Sequence, residues 1–260
     1  MGSNKQVLRG KADCRAFLAR NPFPHPYTIG FYYREKMRAI HEVTPGGEFP
    51  LVLELGGGQS GLTRKLFPNS SVLTLDADPA FGSAPCNREP GVRFVCGDAE
   101  QLPFADESFD AVTMFDVLEH IPDDRRAMAE AMRVVRPGAP ILISTPNPQW
   151  RFPFYRALQP LCPAEAAVMA EWGHVRRGYS LGELEQLAGV RCERAFDFIN
   201  SMTVLSHDIA FSRLPGPIRR AGCMLLWPLT WMGYVMHRGS TGGTETASCW
   251  RRQERETNAA

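Results

Sequence analysis

The stretch PLVLELGGGQSG, residues 50–61, constrains this chain more than any other. An apolar run of strand character ends on one acid, Glu54, and passes directly into three consecutive glycines with a fourth at Gly61. Gly56, Gly58 and Gly61 satisfy G-x-G-x-x-G, the spacing of a loop that leaves a strand, turns tightly and opens a helix whose N-terminus can face a nucleotide. Glycine at those positions is also what a left-handed turn needs whether or not it holds a ligand, so the loop alone names no ligand.

Strand and helix patterns alternate downstream of it. Strands are expected at 50–55, 71–76, 92–96, 109–115 and 139–145, with helices near 60–67, 122–135 and 180–188. That order predicts a parallel sheet covered by helices on both faces. The proline-rich stretch 146–163 reads as a long loop. A chain of 260 residues with 44% hydrophobic content suits one α/β domain with elaborations. The formal charge of +1 gives no electrostatic reason to expect nucleic acid. Seven widely spaced cysteines without a C-x-x-C pair read as thiols of a reducing compartment rather than zinc ligands. The segment MGSNKQVLRGKADCRAF lacks the apolar core of an export signal, so a cytoplasmic setting is expected.

Two acids narrow the ligand. Glu54 beside the glycine loop repels a diphosphate but attracts a ligand carrying a cationic amine. Asp76 closes the second strand in LTLDADP, twenty positions after Gly56, where a carboxylate accepts ribose hydroxyls; its neighbour Asp78 suits a helix cap. Asp98 stands at the end of the third strand in VRFVCGDAEQLPF, within reach of an adenine amino group.

With LELGGGQSG, LTLDADP, GDAEQLPFADESFDAV, FDVLEHI and RVVRPGAPILISTPNP in that order, the chain resembles the class I S-adenosylmethionine-dependent methyltransferases, in particular their small-molecule, ubiquinone-biosynthesis-like branch. Gly57 and Gln59 stand where that family often has Cys and Thr. The resemblance spans residues 28–200 and the last strand. It implies a Rossmann-like, doubly wound, seven-stranded α/β sheet whose last strand is antiparallel, the final pair being 190–198 and 244–251. It also implies S-adenosyl-L-methionine as cofactor: Glu54, Gly56 and Gly58 flank its methionine part, Asp76 with Ala77 its ribose, Asp98 with Ala99 its adenine, and Phe115 the end of the fourth strand. The chain then divides into an N-terminal helical cover at 1–45, a core at 46–199 and 244–252, and a hydrophobic helical insertion at 200–243.

Methyl transfer asks the protein to align an acceptor and remove its proton. His120 in FDVLEHI and His174 in EWGHVRRGYS are the candidate catalytic residues, each weighed against a histidine that merely orders its loop. Asp116, Glu119 and His120 share one face if helical, a spacing that also suits a divalent ion; the site is assigned without a metal. Arg176 and Arg177 stand open between an anionic acceptor and solvent, Ser180 caps the following helix, and one of Tyr27, Phe31, Tyr32 and Tyr33 is expected at the cofactor.

The insertion carries AGCMLLWPLTWMGYVM at 221–236, sixteen residues without charge, flanked by arginines and with no acid between Asp208 and Glu245. Pro228 and the short run argue against a membrane span. A helical lid over the acceptor, membrane-dipping or packed against a second subunit, is expected. The predicted function is transfer of a methyl group to oxygen of a small hydrophobic or lipid-linked acceptor, with peripheral contact at the inner membrane face. The alternatives are a cofactor-binding accessory protein without turnover, or N- or carboxyl-methylation of a natural-product or peptide acceptor.

Overall fold

Along the central strands, alternate residues enter two separate cores. In the computed structural model, which describes residues 10–23, 30–237 and 242–253, β1 (Leu51–Leu55) sends Val52 to one side and Leu53 and Leu55 to the other. Strands β4 (Ala111–Phe115) and β5 (Pro140–Pro146) divide in the same way, Ala111 and Leu142 against Val112, Ile141 and Ile143. Period-two side chains that are apolar on both faces require cover on both faces. That cover is α1 (Cys14–Ala19), α2 (Phe31–Val43) and α3 (Leu62–Leu66) on one side, through Phe17, Ile40 and Leu66. On the other side it comes from α4 (Asp124–Val134) and α6 (Leu181–Ala188), through Met128, Ala131 and Leu184.

The sheet has seven strands in the order β3-β2-β1-β4-β5-β7-β6, where β2 is Ser71–Asp76, β3 Val92–Cys96, β6 Arg194–Phe198 and β7 Glu245–Arg251. Strands β1 to β5 pair in parallel, and β7 returns antiparallel between β5 and β6. Strand order reverses between β1 and β4, which places the crevice outside their carboxyl ends, where ligands of such sheets bind. The seven-stranded Rossmann-like architecture with its antiparallel last strand is the one expected from the sequence.

Residues after β5 form more than a loop. They fold into a 3-10 turn at Arg156–Leu161 and α5 (Glu165–Trp172), and Trp150, Phe152, Cys162 and Val168 close a small core of their own. The insertion is two helices, α7 (Thr203–Ala210) and α8 (Gly216–Met236), packed on each other and on α2. Pro228 lies inside α8. No helix among the described residues is long and apolar enough to cross a membrane. All seven cysteines are free thiols, Cys96 exposed and Cys86, Cys162, Cys223 and Cys249 buried.

Candidate active site

The glycine loop forms because its backbone takes conformations that side chains resist. Gly56, Gly58 and Gly61 have φ of 65°, 52° and 57°. A Cβ on Gly56 would lie 2.2 Å from Val117, on the segment after β4, so the loop is pressed against the neighbouring strand's end. A Cβ on Gly58 would meet nothing within 4 Å, so that side of the loop is open to a ligand. Asp76 stands beside it: its Oδ2 accepts from the Gly58 N–H at 3.0 Å and its Oδ1 from the Asp78 N–H at 3.1 Å. Each carboxylate oxygen retains a lone pair for a ribose hydroxyl. Ala77 follows at the exposed strand end. Asp98 is exposed after β3 with Oδ1 accepting from the Glu100 N–H at 2.8 Å, and Ala99 is half-buried next to it. These residues form one rim along the carboxyl ends of β1, β2 and β3.

Glu54, expected to flank the methionine part, lies directly under the glycine loop, its Oε2 2.6 Å from where a Cβ on Gly57 would stand. It is 3% exposed, and its oxygens accept from the Thr74 hydroxyl at 2.8 Å and the Thr63 N–H at 3.3 Å. The cause is register: Glu54 lies opposite Thr74 across the β1–β2 pair, so the carboxylate fastens the loop from below.

After β4 the chain turns sharply. Phe115 is half-buried, Asp116 takes a left-handed φ of 51°, and Leu118–His120 make a single 3-10 turn. The helical face that would bring Asp116, Glu119 and His120 together therefore does not form. Asp116 instead pairs with Lys36 of α2 and accepts from the Ser144 hydroxyl at 2.7 Å. Glu119 turns inward, 1% exposed, accepting from the Thr145 hydroxyl at 3.2 Å; burial pushes its carboxyl up to about 7. Burial also lowers Lys36, against the pull of Glu245 and Glu119.

His120 and His174 do meet. Their rings lie 4.7 Å apart between centroids at 88°, and Gly173, in left-handed conformation at the end of α5, offers its carbonyl to His120 Nδ1 at 3.2 Å. That contact assigns the proton to Nδ1 and leaves the lone pair on Nε2. Burial lowers His120 below its ordinary value and brings His174 down to about 4, so both rings are neutral near pH 7. The His174 Nδ1 is buried without a hydrogen-bond partner. Glu119, His120 and His174 offer donor atoms that all lie within 4.8 Å of one another, a grouping that can hold a divalent cation.

Both histidines line a cavity of about 390 Å³. Its polar wall is Lys36, Asp116, Glu119 and Glu245, and its apolar wall is Tyr32, Trp150, Trp172 and Phe211, with His207 of α7 stacked on Tyr32 at 4.7 Å. Tyr32 donates to Glu245. Sequence reasoning did not find Lys36, His207, Trp172 or Glu245. Of the four aromatic candidates near the N-terminus, Tyr32 and Tyr33 reach the cavity, Phe31 packs against Trp227 and Tyr234 of α8, and Tyr27 lies outside the described residues. Arg176 is tied to Asp124 and Tyr179, and Arg177 to Glu165, so neither is free for an anionic acceptor. Ser180 caps α6 in a full capping box with Glu183. The run 221–236 is helical as expected, but α7 rather than α8 supplies the cavity wall, and α8 forms a second layer outside it.

The glycine loop and the carboxylate at the end of β2 lie at the crevice between β1 and β4, and the cavity lies beside it, outside the ends of β4, β5 and β7. Residues 53–143 match the family described as a methyltransferase domain. Over 120 residues, 44% of this chain and 42% of the relative, it is 42% identical to the phthiotriol/phenolphthiotriol dimycocerosates methyltransferase of Mycobacterium tuberculosis. It is 33% identical over 121 residues, 44% of this chain and 47% of the relative, to the demethylmenaquinone methyltransferase of Paenarthrobacter aurescens. The match spans less than half the length of these curated relatives. Among solved structures, a possible histamine N-methyltransferase from Thermotoga maritima aligns with a TM-score of 0.57 at 17% identity, over 86% of this chain and 91% of that one. The N-methyltransferase NodS of Bradyrhizobium japonicum, in complex with S-adenosyl-L-homocysteine, aligns with a TM-score of 0.53 at 16% identity, over 86% and 88%. These two likenesses establish the fold.

Proposed function

We propose that the protein transfers the methyl group of S-adenosylmethionine to an oxygen of a small hydrophobic or lipid-linked acceptor. The observation that carries this reading is the 390 Å³ cavity, which two imidazoles, His120 and His174, share with an aromatic wall. The cofactor lies along the rim of Gly56, Gly58, Asp76, Ala77, Asp98 and Ala99, with its sulfonium toward Phe115 and the cavity's carboxylates. Asp116 and Glu245, with Glu119 partly ionised near pH 7, outweigh the one lysine in the polar wall, which favours that cation and disfavours an anionic acceptor. His120 takes the acceptor proton at Nε2 while Gly173 holds its other nitrogen, and His174 positions the acceptor from across the ring pair. The relatives named for lipid and quinone-type acceptors support a hydrophobic substrate, and such a substrate is met at the surface of the membrane that dissolves it, which makes peripheral contact through α8 part of the reading.

The test is product formation, with labelled S-adenosylmethionine offered together with phenols, quinols and long-chain alcohols, and products read by mass spectrometry. Methyl ethers or C-methyl products decide the atom methylated. Binding of S-adenosylhomocysteine without turnover on any acceptor would make the protein a cofactor-binding accessory subunit instead.

A further inference from the structure

The largest apolar exposure among the described residues lies on one helix. Ile218, Met224, Leu225, Trp231, Met232 and Met236 are all exposed on α8, Leu225 by 81% and Met236 by 68%. Steps of seven (218, 225 and 232; 224 and 231) and four (232 and 236) place them on the outer side of α8. The opposite side is spoken for: Cys223 reaches the Ser206 carbonyl of α7, Gly233 meets Met202, and Trp227 packs on Phe31 of α2. Isolated exposed hydrophobics need no explanation, but a continuous stripe of this length marks a surface that something covers.

Charge decides what covers it. Arg213 and Arg220 are exposed at the N-terminal end of α8, beside a cavity of about 210 Å³ lined by Ala210, Gly216, Arg219 and Cys223. From 209 to 244 the sequence has no acid at all. A second copy docked on this face by two-fold symmetry meets the same arginines and offers no carboxylate from α8, the insertion's one acid, Asp208 of α7, being fully buried. Anionic headgroups do pair with them, and the acyl layer beneath accepts the stripe.

We infer that α8 is an interfacial helix that docks the protein on an anionic lipid bilayer, its apolar stripe in the acyl boundary and Arg213 and Arg220 among the headgroups. This deepens the reading of a hydrophobic acceptor and rests on it for its purpose. His207 of α7 and Phe211 just after it line the acceptor cavity, and α8 lies on α7, so the docked surface and the cavity are separated by these two packed helices. An acceptor whose tail stays in the bilayer has that pair of helices to pass.

The experiment is vesicle co-sedimentation of the full chain, without added acceptor. With vesicles of phosphatidylcholine and phosphatidylglycerol in equal parts, the protein pellets; with phosphatidylcholine alone, or in high salt, partition falls about tenfold or more. Leu225→Glu and Trp231→Glu each lower partition about tenfold while leaving S-adenosylhomocysteine affinity and melting temperature unchanged, and Arg213→Glu with Arg220→Glu removes the preference for the anionic vesicles. Equal pelleting of wild type and Leu225→Glu would overturn the inference. So would a concentration-dependent dimer that Leu225→Glu dissociates, with no vesicle binding by the wild type. Methylation of a short-chain, water-soluble acceptor in the absence of vesicles tests the methyltransferase reading separately, so either can fail while the other stands.

Discussion

Replacing Asp76 by alanine removes the carboxylate on which the proposed ribose contact depends, and the geometry sets how large the loss is. Its two oxygens already accept from Gly58 and Asp78 N–H groups at 3.0 and 3.1 Å, which fixes the carboxylate at the loop and leaves one lone pair per oxygen for the two ribose hydroxyls. Hydrogen bonds to a charged acceptor contribute about 1.5–3 kcal/mol each. Losing two, with water partly replacing them at this half-buried position, weakens binding by roughly 10²–10³-fold at about 1.4 kcal/mol per decade. The fold itself loses the Gly58 and Asp78 N–H contacts, which water replaces in part at this position, about 1.5–3 kcal/mol. Asp76→Asn keeps one acceptor oxygen and sits between alanine and wild type. Asp98→Ala, at an exposed turn, costs about tenfold at most. Isothermal calorimetry with S-adenosylhomocysteine measures all three. An Asp76→Ala protein that is folded and binds within about threefold of wild type, well under the ~1.5 kcal/mol of one such bond, refutes the placement of the ribose.

Three other outcomes are expected. His120→Ala lowers turnover roughly 10²–10⁴-fold with cofactor affinity unchanged, and wild-type kcat/KM is flat through neutral pH and falls only on the acid side of the ordinary histidine value, because burial keeps the ring neutral; turnover that survives the substitution removes the base role. A chelator leaves the rate unchanged, whereas zinc inhibits by engaging Glu119, His120 and His174, and His174→Ala relieves that inhibition; activity lost to chelation and restored by magnesium would instead make the cation part of the reaction. Iodoacetamide under native conditions at mildly alkaline pH labels exposed Cys96 first and Cys249 last, since burial pushes the Cys249 thiol up to about 12; peptide mass spectrometry reporting the reverse order contradicts the burial of β7.

The sheet was legible because its signals are local. Each parallel strand is a short apolar run closed by a turn signal, and the acids at the ends of β2 and β3 sit at fixed distances after the glycine loop. Spacing failed where a backbone left the expected conformation. Asp116, Glu119 and His120 share a face only on an α-helix; a left-handed Asp116 followed by one 3-10 turn ties Asp116 to Lys36 and Ser144, while Glu119 and His120 group with His174 in the same cavity. The cavity's remaining residues come from far apart in the chain, Lys36 from α2, Trp172 from α5, His207 from α7 and Glu245 from β7, so no window of sequence contains them. A weak signal was present: Glu35 and Lys36 interrupt an otherwise apolar face in FYYREKMRAI, and His207–Asp208 interrupt VLSHDIAF. Charged residues amid apolar neighbours are expected to find partners when buried.

Those partners explain how the insertion and the end of β4 are joined. Glu35 and Lys36 are adjacent on α2 and both are buried, yet they face different elements. Glu35 accepts from the Thr203 hydroxyl at 2.5 Å and from the Asn200 amide at 3.0 Å, and it pairs with His237 at the end of α8. Lys36 pairs with Asp116, the residue whose left-handed turn starts the segment carrying His120. A buried ion pair adds little net stability over apolar packing, but breaking one partner from the other leaves an uncompensated charge, a loss of about 3–5 kcal/mol. Helix α2 is therefore a strut with one buried charge anchored in the insertion and the next anchored at β4.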